Sequence, residues 1–352
     1  MAALIPIILA GGKGERFWPV SRLARPKQFL CLDGSDRSLL QATADRLLPL
    51  AEGWQNMWVI TAAHLADRVR EQLPELPEAN LLIEPVGRDT APAVAWGTLE
   101  VAQRYGDDAL VGFFPADHWI ADQDAFCQTL RAAAALAGQG AIATLGIAPT
   151  YPATGYGYIE QGDATGTYGN LSAYTVSRFT EKPDAPTAQT FIDSGRFSWN
   201  SGMFVFPAGT MIDELKTHAP DLMQALMANG VDAYPSLDKL SIDYAVMEHT
   251  DRAQVMPVTF GWDDLGDWNA VERLLKQPGD QNVDLATHVA LDTAGSIVYS
   301  ADPDEVVVTI GLEDVVIVRD GNATLIVRKD RTQDIKAAVK QLGAEDRFQH
   351  LL

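Results

Sequence analysis

Through most of the first 270 residues, short apolar runs alternate with helix-like stretches, and this alternation limits the fold more than any single motif does. The strand candidates are residues 4–10, 57–61, 81–84, 109–114 and 141–146. Amphipathic or Ala-rich segments at 39–50, 63–72, 91–105 and 124–138 separate them. This order predicts an α/β fold, a Rossmann-like, mostly parallel mixed sheet flanked by helices on both faces. Ligands of such sheets bind beyond the carboxyl ends of the strands, so chemistry is expected in the loops after Ala10, Glu84 and Phe114.

From residue 151 to about 201 the pattern loosens into turn-rich stretches that suggest an insertion of antiparallel strands carrying a lid or second substrate pocket. Residues 276–282, KQPGDQN, have the composition of a boundary, dividing a large domain (1–282) from a small one (283–352). In the small domain the β-branched runs SIVYS, EVVVTIG, DVVIVRDG and ATLIVR precede a helix over 332–342, with Thr332 placed to cap it. So few residues bury little surface alone, so the unit is expected to dock on the large domain or on another subunit.

A formal net charge of −20 argues against a nucleic-acid partner, which needs a surplus of Lys and Arg. Cations nevertheless cluster at the start of the chain, where Lys13, Arg16, Arg22, Arg25 and Lys27 face the single acid Glu15, as expected of a focused anion site. Cys31 and Cys127 are too few for a disulfide framework and lack metal-ligand spacing, which suits a reducing compartment. No run approaches the roughly 20 apolar residues needed to span a bilayer, and no basic segment precedes the apolar start. The expectation is a soluble, cytoplasmic protein with no membrane partner.

The strongest local signal is LAGGKGERFWP, in which Leu9 and Ala10 end a strand and Gly11, Gly12 and Gly14 lead to Arg16. Glycines let backbone N–H groups close around phosphate oxygens, and a cation just downstream neutralises them. The spacing is not G-x-G-x-x-G, and the Lys-Ser/Thr pair that ends a P-loop is absent. Pro26 and Lys27 bring a second cation. Together these residues resemble the opening motif of the sugar nucleotidyltransferases, G-G-x-G-x-R-L-x-P followed by P-K, with Phe17 in place of Leu. The resemblance implies that Leu9, Ala10, Gly11, Gly12 and Gly14 bind the nucleotide and that Arg16 and Lys27 hold its triphosphate and stabilise charge as pyrophosphate leaves.

Further matches point within that family to the mannose-1-phosphate guanylyltransferases. Residues 84–93, EPVGRDTAPA, are similar to E-P-x-x-R-N-T-A-P-A, which implies nucleotide contacts for Glu84, Arg88, Thr90 and Ala91. Asp89 stands where Asn is usual, keeping an acceptor and losing a donor, a change that is harmless if the residue caps the next helix. A carboxylate at Glu84 suits the two donors on the Watson–Crick edge of guanine. The run LVGFFPADHWI carries P-A-D-H, and FGWDDLGDW resembles G-W-x-D-x-G-x-W. The resemblance then implies that Asp117 and Asp264 ligate Mg2+, leaving Asp263 at the variable position and His118 structural.

On the sugar side, GYGYI, FTEKP and WNSGMF look like family motifs that imply sugar contacts for Gly157, Glu181 and Asn200 and a sugar-phosphate contact for Lys182. SIDYAVME also matches, but its helical apolar stripe reads as packing. The implied reaction is mannose 1-phosphate plus GTP giving GDP-mannose plus pyrophosphate, with Arg16, Lys27, Lys182 and Mg2+ cancelling repulsion between two polyanions. The alternatives are another hexose 1-phosphate as substrate, or a silent nucleotide-sugar sensor. The tail lacks the length and His pattern of the isomerase domain carried by longer members, so no isomerase activity is expected. It resembles the left-handed β-helical tails of short members, which implies a homodimer.

Overall fold

The computed structural model describes residues 3–32 and 34–352. The chain forms two compact units, one of Met1–Gly11, Thr43–Ala116 and Ile120–Trp262, the other of Gly12–Ala42, Asp117–Trp119 and Asp263–Leu352. In chain order, the strands up to residue 258 are β1 (Leu4–Ala10), β2 (Trp58–Ala62), β3 (Leu81–Glu84), β4 (Leu110–Pro115), the two-residue β5 (Trp119–Ile120), β6 (Ile142–Ile147), β7 (Tyr158–Tyr168), β8 (Leu171–Thr180), β9 (Phe197–Pro207) and β10 (Ala253–Val258). The helices among them are α1 (Leu39–Ala51), α2 (Ala66–Gln72), α3 (Thr90–Tyr105), α4 (Gln123–Ala137), α5 (Ala185–Ser194), α6 (Ala208–His218) and α7 (Pro220–Asn229).

The first unit is a mixed, mostly parallel nine-stranded sheet in the order β3-β2-β1-β4-β9-β6-β10-β8-β7. Strands β1 to β4, β6, β7 and β10 run one way, and β8 and β9 run the other. Both faces are covered, as the neighbouring side chains of β4 illustrate. Phe113 stacks on Phe206 at 5.7 Å, within a core that includes Val94 and Val101 of α3 and Met211 and Leu215 of α6. Phe114, which points the opposite way, meets Phe126 of α4 edge-on at 6.4 Å. This two-sided burial is why β1 and β4 read as continuous apolar runs rather than alternating ones. The antiparallel segment expected as an insertion is instead part of this sheet, because β7 and β8 continue it through β10 and β9.

A short strand, β11 (Trp262–Asp263), leads into the second unit, which contains α8 (Trp268–Leu275) and the strands β12 (Val283–Leu285), β13 (Thr287–Leu291), β14 (Ile297–Ser300), β15 (Val306–Ile310), β16 (Val315–Asp320) and β17 (Ala323–Arg328). Strands β12, β14 and β16 stack in parallel, with Val283, Ile297 and Val316 in register, and β13 pairs with β15, so the chain winds in β-helix-like rungs. Strand β17 closes the stack antiparallel to β16. Val283, Ile297, Val316 and Leu325 share one core with Phe17, Trp18, Leu30, Leu265 and Trp268. Packing gathers residues 12–42 and 117–119 with the strands beyond residue 282.

Thr332 does not cap the last helix. It lies in a 3-10 turn (Lys329–Asp334), and α9 (Ile335–Gly343) begins three residues later. Buried as it is, the Thr332 hydroxyl instead donates to Asp267 Oδ2 at 2.7 Å, since an exposed helix end can be satisfied by water and a buried carboxylate cannot.

Candidate active site

The glycine turn after β1 needs Gly14 for two reasons. Its φ is +59°, and a Cβ there would lie 2.4 Å from Lys27 Cβ. The Gly14 carbonyl accepts from Phe17 N at 3.0 Å and Ser21 Oγ at 2.8 Å, which fixes the 3-10 turn Glu15–Phe17. Phe17 is buried against Trp268 at 5.3 Å. Its neighbour Arg16 donates from Nη1 to the Gly266 carbonyl at 3.3 Å, while Arg16 Nε is buried without an acceptor among the described residues. A buried guanidinium donor left without an acceptor suits an anionic ligand.

Lys27 is buried, and its ammonium meets Asp117 Oδ2 at 2.6 Å, the Asp264 carbonyl at 2.6 Å and the Leu265 carbonyl at 3.1 Å. An ammonium has three donors, so all three are engaged. Burial works to raise the Asp117 pKa, but the charges of Lys27 and His118, with hydrogen bonds from Lys27 and its own backbone, hold it below the ordinary aspartate value. The side chain of Asp117 remains 29% exposed.

Lys13, Arg16, Lys27, Asp117, His118, Asp264 and Lys336 all line one cavity of about 340 Å3, with Gly14, Glu15, Phe17 and Gly266. Gly266 lets the Asp264 carboxylate sit close, since a Cβ there would lie 3.2 Å from both its oxygens. Asp263 is differently placed. It accepts from Leu265 N at 2.8 Å and pairs with Arg273 Nη2 at 2.8 Å, shaping the loop. Burial raises its pKa against the opposing charge of Arg273. No group of three or more His, Cys, Asp or Glu side chains suited to a metal occurs among the described residues. The chemistry of two carboxylates lining one cavity with Arg16 fits Mg2+, which takes one or two protein carboxylates and completes its shell with phosphate and water oxygens.

Within the first unit, Glu84 ends β3 and is 7% exposed, with Oε2 3.7 Å from where a Cβ of Gly11 would stand. Its Oε1 is buried without a hydrogen-bond partner among the described residues, as is Tyr234 Oη. Burial pushes the Glu84 carboxyl up to about 7, with the nearby Tyr234 hydroxyl pulling the other way. Arg88 is occupied by the backbone, donating from Nε to Tyr234 O at 3.0 Å and from Nη2 to Pro235 O. Thr90 Oγ1 accepts from Ile242 N at 2.8 Å and Ala91 N donates to Leu240 O at 3.0 Å, so this segment is stitched to residues 234–242. Asp89 is the N-cap of α3, with φ 71° and its carboxylate accepting from Thr90 N.

The raised Glu84 pKa has a stability consequence. Between about 4.5, the ordinary value, and about 7, the folded chain keeps a proton that the unfolded chain has lost. Stability therefore falls as pH rises through that window and levels off above it. Glu84→Gln removes the titration. The gap between wild type and variant in urea unfolding should change by on the order of 3 kcal/mol between pH 4 and 8, in the variant's favour at high pH. Parallel pH profiles would refute this assignment.

The sugar-side residues also converge within the first unit. A Cβ on Gly157 would lie 2.7 Å from Glu181 Oε2 and 3.5 Å from Asn200 Cβ. Asn200 N donates to Gly157 O at 2.8 Å, and Lys182, at φ 44°, pairs with Glu181. Asp243, absent from the sequence expectations, accepts from Asn200 Nδ2 at 2.7 Å. Burial raises its pKa, the bond from Asn200 lowers it, and the charge of Glu181 raises it further. SIDYAVME packs through buried Ala245, Val246 and Met247 as its apolar stripe suggests, but as a π-helical turn over Asp243–Met247 that also carries this acid. Tyr156, Trp199 and Trp262 form an aromatic cluster with ring separations of 5.0 and 5.4 Å about Tyr156, also unforeseen.

Residues 5–278 match the family described as nucleotidyl transferase, and residues 286–342 match the mannose-phosphate isomerase/GMP-like beta-helix domain. The chain is 39% identical over 366 residues to the mannose-1-phosphate guanylyltransferase ManC of Salmonella typhimurium, covering 99% of this chain and 75% of that one. It is 41% identical over 362 residues to the xanthan biosynthesis protein XanB of Xanthomonas campestris, covering 99% and 75%. A solved Thermus thermophilus protein, described as a mannose-1-phosphate geranyltransferase, superposes with a TM-score of 0.87 at 35% identity, covering 97% of this chain and 99% of that one. No helix among the described residues is long and apolar enough to cross a membrane.

Proposed function

The chain belongs to the nucleotidyl transferase family, with mannose-1-phosphate guanylyltransferases among its relatives, and on that premise we propose that it transfers GMP from GTP to mannose 1-phosphate. An oxygen of the sugar phosphate attacks the α-phosphorus of GTP, the bond from that phosphorus to its β-bridging oxygen breaks, and pyrophosphate leaves with the bond's electron pair. The attacking oxygen is already ionised at neutral pH, so no strong general base is required. Positioning and charge cancellation then account for the rate.

The observation that carries this reading is the cavity shared by Arg16, Asp117 and Asp264, with the Arg16 Nε donor lacking an acceptor among the described residues. Arg16 would bind the triphosphate through that donor, and Gly12 and Gly14 would offer backbone N–H groups. Lys27 would act as a positioning cation, holding Asp117 and the 264–265 carbonyls. Asp117 and Asp264 would hold Mg2+, which when bound neutralises charge on the reacting phosphates. In the first unit, Glu84 would accept from guanine N1 and N2, Glu181 and Asn200 would bind the sugar hydroxyls beside Gly157, and Lys182 its phosphate. Pyrophosphate release from GTP with mannose 1-phosphate, compared with ATP, UTP and glucose 1-phosphate, tests the proposal. Selective release with GTP and mannose 1-phosphate supports it, and release from no pair refutes it.

We further propose a cytoplasmic homodimer. On the paired strands β13 and β15, Val289, Leu291, Val306, Val308 and Ile310 form one exposed apolar stripe, Ile310 being 67% exposed. A second copy presenting the same stripe would cover it isologously. Val308→Glu should shift the sedimenting species from dimer to monomer, and a monomeric wild type would refute the assignment.

A further inference from the structure

The phosphate cavity receives a cation from the far end of the chain. Lys336 lies in the first turn of α9, inside the region matching the beta-helix domain, yet it lines the same cavity as Lys13, Arg16, Asp117 and Asp264. Its placement follows from how α9 is anchored. Thr332 Oγ1 and Gln333 Nε2 both donate to Asp267 Oδ2, at 2.7 and 2.6 Å, and Asn269 Nδ2 donates to Lys329 O at 2.9 Å. Asp267 is itself three residues beyond Asp264 and caps α8 through Asn269 N at 3.0 Å. Ile335 is buried in the core shared with Phe17 and Trp268. The loop that carries Asp264 therefore also seats the helix that carries Lys336. In the 3-10 turn Asp346–Leu351 that follows α9, the Leu351 carbonyl accepts from Trp18 Nε1 at 2.8 Å and from Arg22, tying the tail to the segment after the glycine turn.

The charge balance gives this residue a task. Glu15, Asp117 and Asp264 face the cavity along with His118, and Lys27 is already committed to Asp117 and two carbonyls. With Asp117 paired to Lys27 and both aspartates assigned to Mg2+, the other lysine and arginine side chains lining the cavity are Lys13, Arg16 and Lys336, a set suited to a polyanion. We propose that Lys336 binds the pyrophosphate portion of the nucleoside triphosphate, so that the C-terminal β unit completes the site at which the leaving group is stabilised. This rests on the reading of the cavity as a triphosphate site. The β- and γ-phosphates are assigned, rather than the sugar phosphate, because the cations sharing the cavity are those of the glycine turn and the sugar-phosphate candidate Lys182 is not among its lining residues.

Lys336 is exposed and its substitution leaves the core untouched, so Lys336→Ala and Lys336→Arg can be tested in the full chain. Titration calorimetry with inorganic pyrophosphate should show about tenfold weaker binding for Lys336→Ala, with most of the loss restored in Lys336→Arg. In turnover, Lys336→Ala should raise KM for GTP by a similar factor and leave KM for mannose 1-phosphate unchanged. Unaltered pyrophosphate binding in Lys336→Ala overturns the inference, as does a KM effect confined to the sugar phosphate. An equal loss of sulfate binding would overturn the leaving-group assignment. Failure of the activity itself is distinguishable, because it appears in the wild type as absent pyrophosphate release from GTP and mannose 1-phosphate.

Discussion

Asp264→Asn is expected to reduce pyrophosphate release from GTP and mannose 1-phosphate by at least about a thousandfold, with unfolding by urea shifted by less than about 1 kcal/mol. The carboxylate lines the cavity that Arg16 and Asp117 share, while the loop around it is held by other groups. Asp263 bonds Leu265 N and pairs with Arg273, Asp267 caps α8, and the Asp264 backbone carbonyl accepts from Lys27. An amide keeps the size of the side chain and removes its charge, so the loss would be chemical rather than structural. Asp117→Asn should show the same loss of turnover and also a loss of stability, since Lys27 would keep its charge without its carboxylate partner at 2.6 Å. A variant at either position that retains a tenth of wild-type turnover would contradict the proposed roles.

Lys27→Met should destabilise the fold by about 3 kcal/mol or more and abolish turnover together. The ammonium is buried and satisfies one carboxylate oxygen and two carbonyl oxygens, none of which a thioether can serve. Gly14 is packed against Lys27 Cβ, so the glycine turn should loosen as well. Equilibrium urea unfolding and thermal melts would measure the first effect and the pyrophosphate assay the second. If Lys27 mainly contacts substrate phosphate, activity would fall while stability in the absence of nucleotide would not.

Much of this fold was legible because local pattern and tertiary role coincide in it. Strand β1 is apolar on both faces and occupies 4–10 as read, and the runs at 81–84 and 323–328 likewise match β3 and β17. Where the two part, the reading went astray. The Thr332 hydroxyl is drawn to the buried Asp267 rather than to a helix end. The residues from 151 to 201 look loose because much of β7 and β8 is exposed, yet they extend the central sheet. At the site, the glycine turn and the acids after β4 and in the GWDDLGDW loop carry local signals. Asp243 and Lys336 do not, since each acquires its role from a partner far along the chain: Asn200 for the first, Asp267 and the anchored turn before α9 for the second. Packing also gathers residues 12–42 with the strands after 283, a grouping no composition change announces.

The proposed chemistry requires Asp117 and Asp264 to share one divalent ion beside the glycine turn. A crystal structure of the full chain soaked with GTP and Mn2+, with anomalous scattering locating the metal, tests it most directly. The expected result is a single strong peak within coordination distance of both carboxylates, with the triphosphate against Arg16. A peak that touches neither acid, or a triphosphate bound away from this cavity, would contradict it.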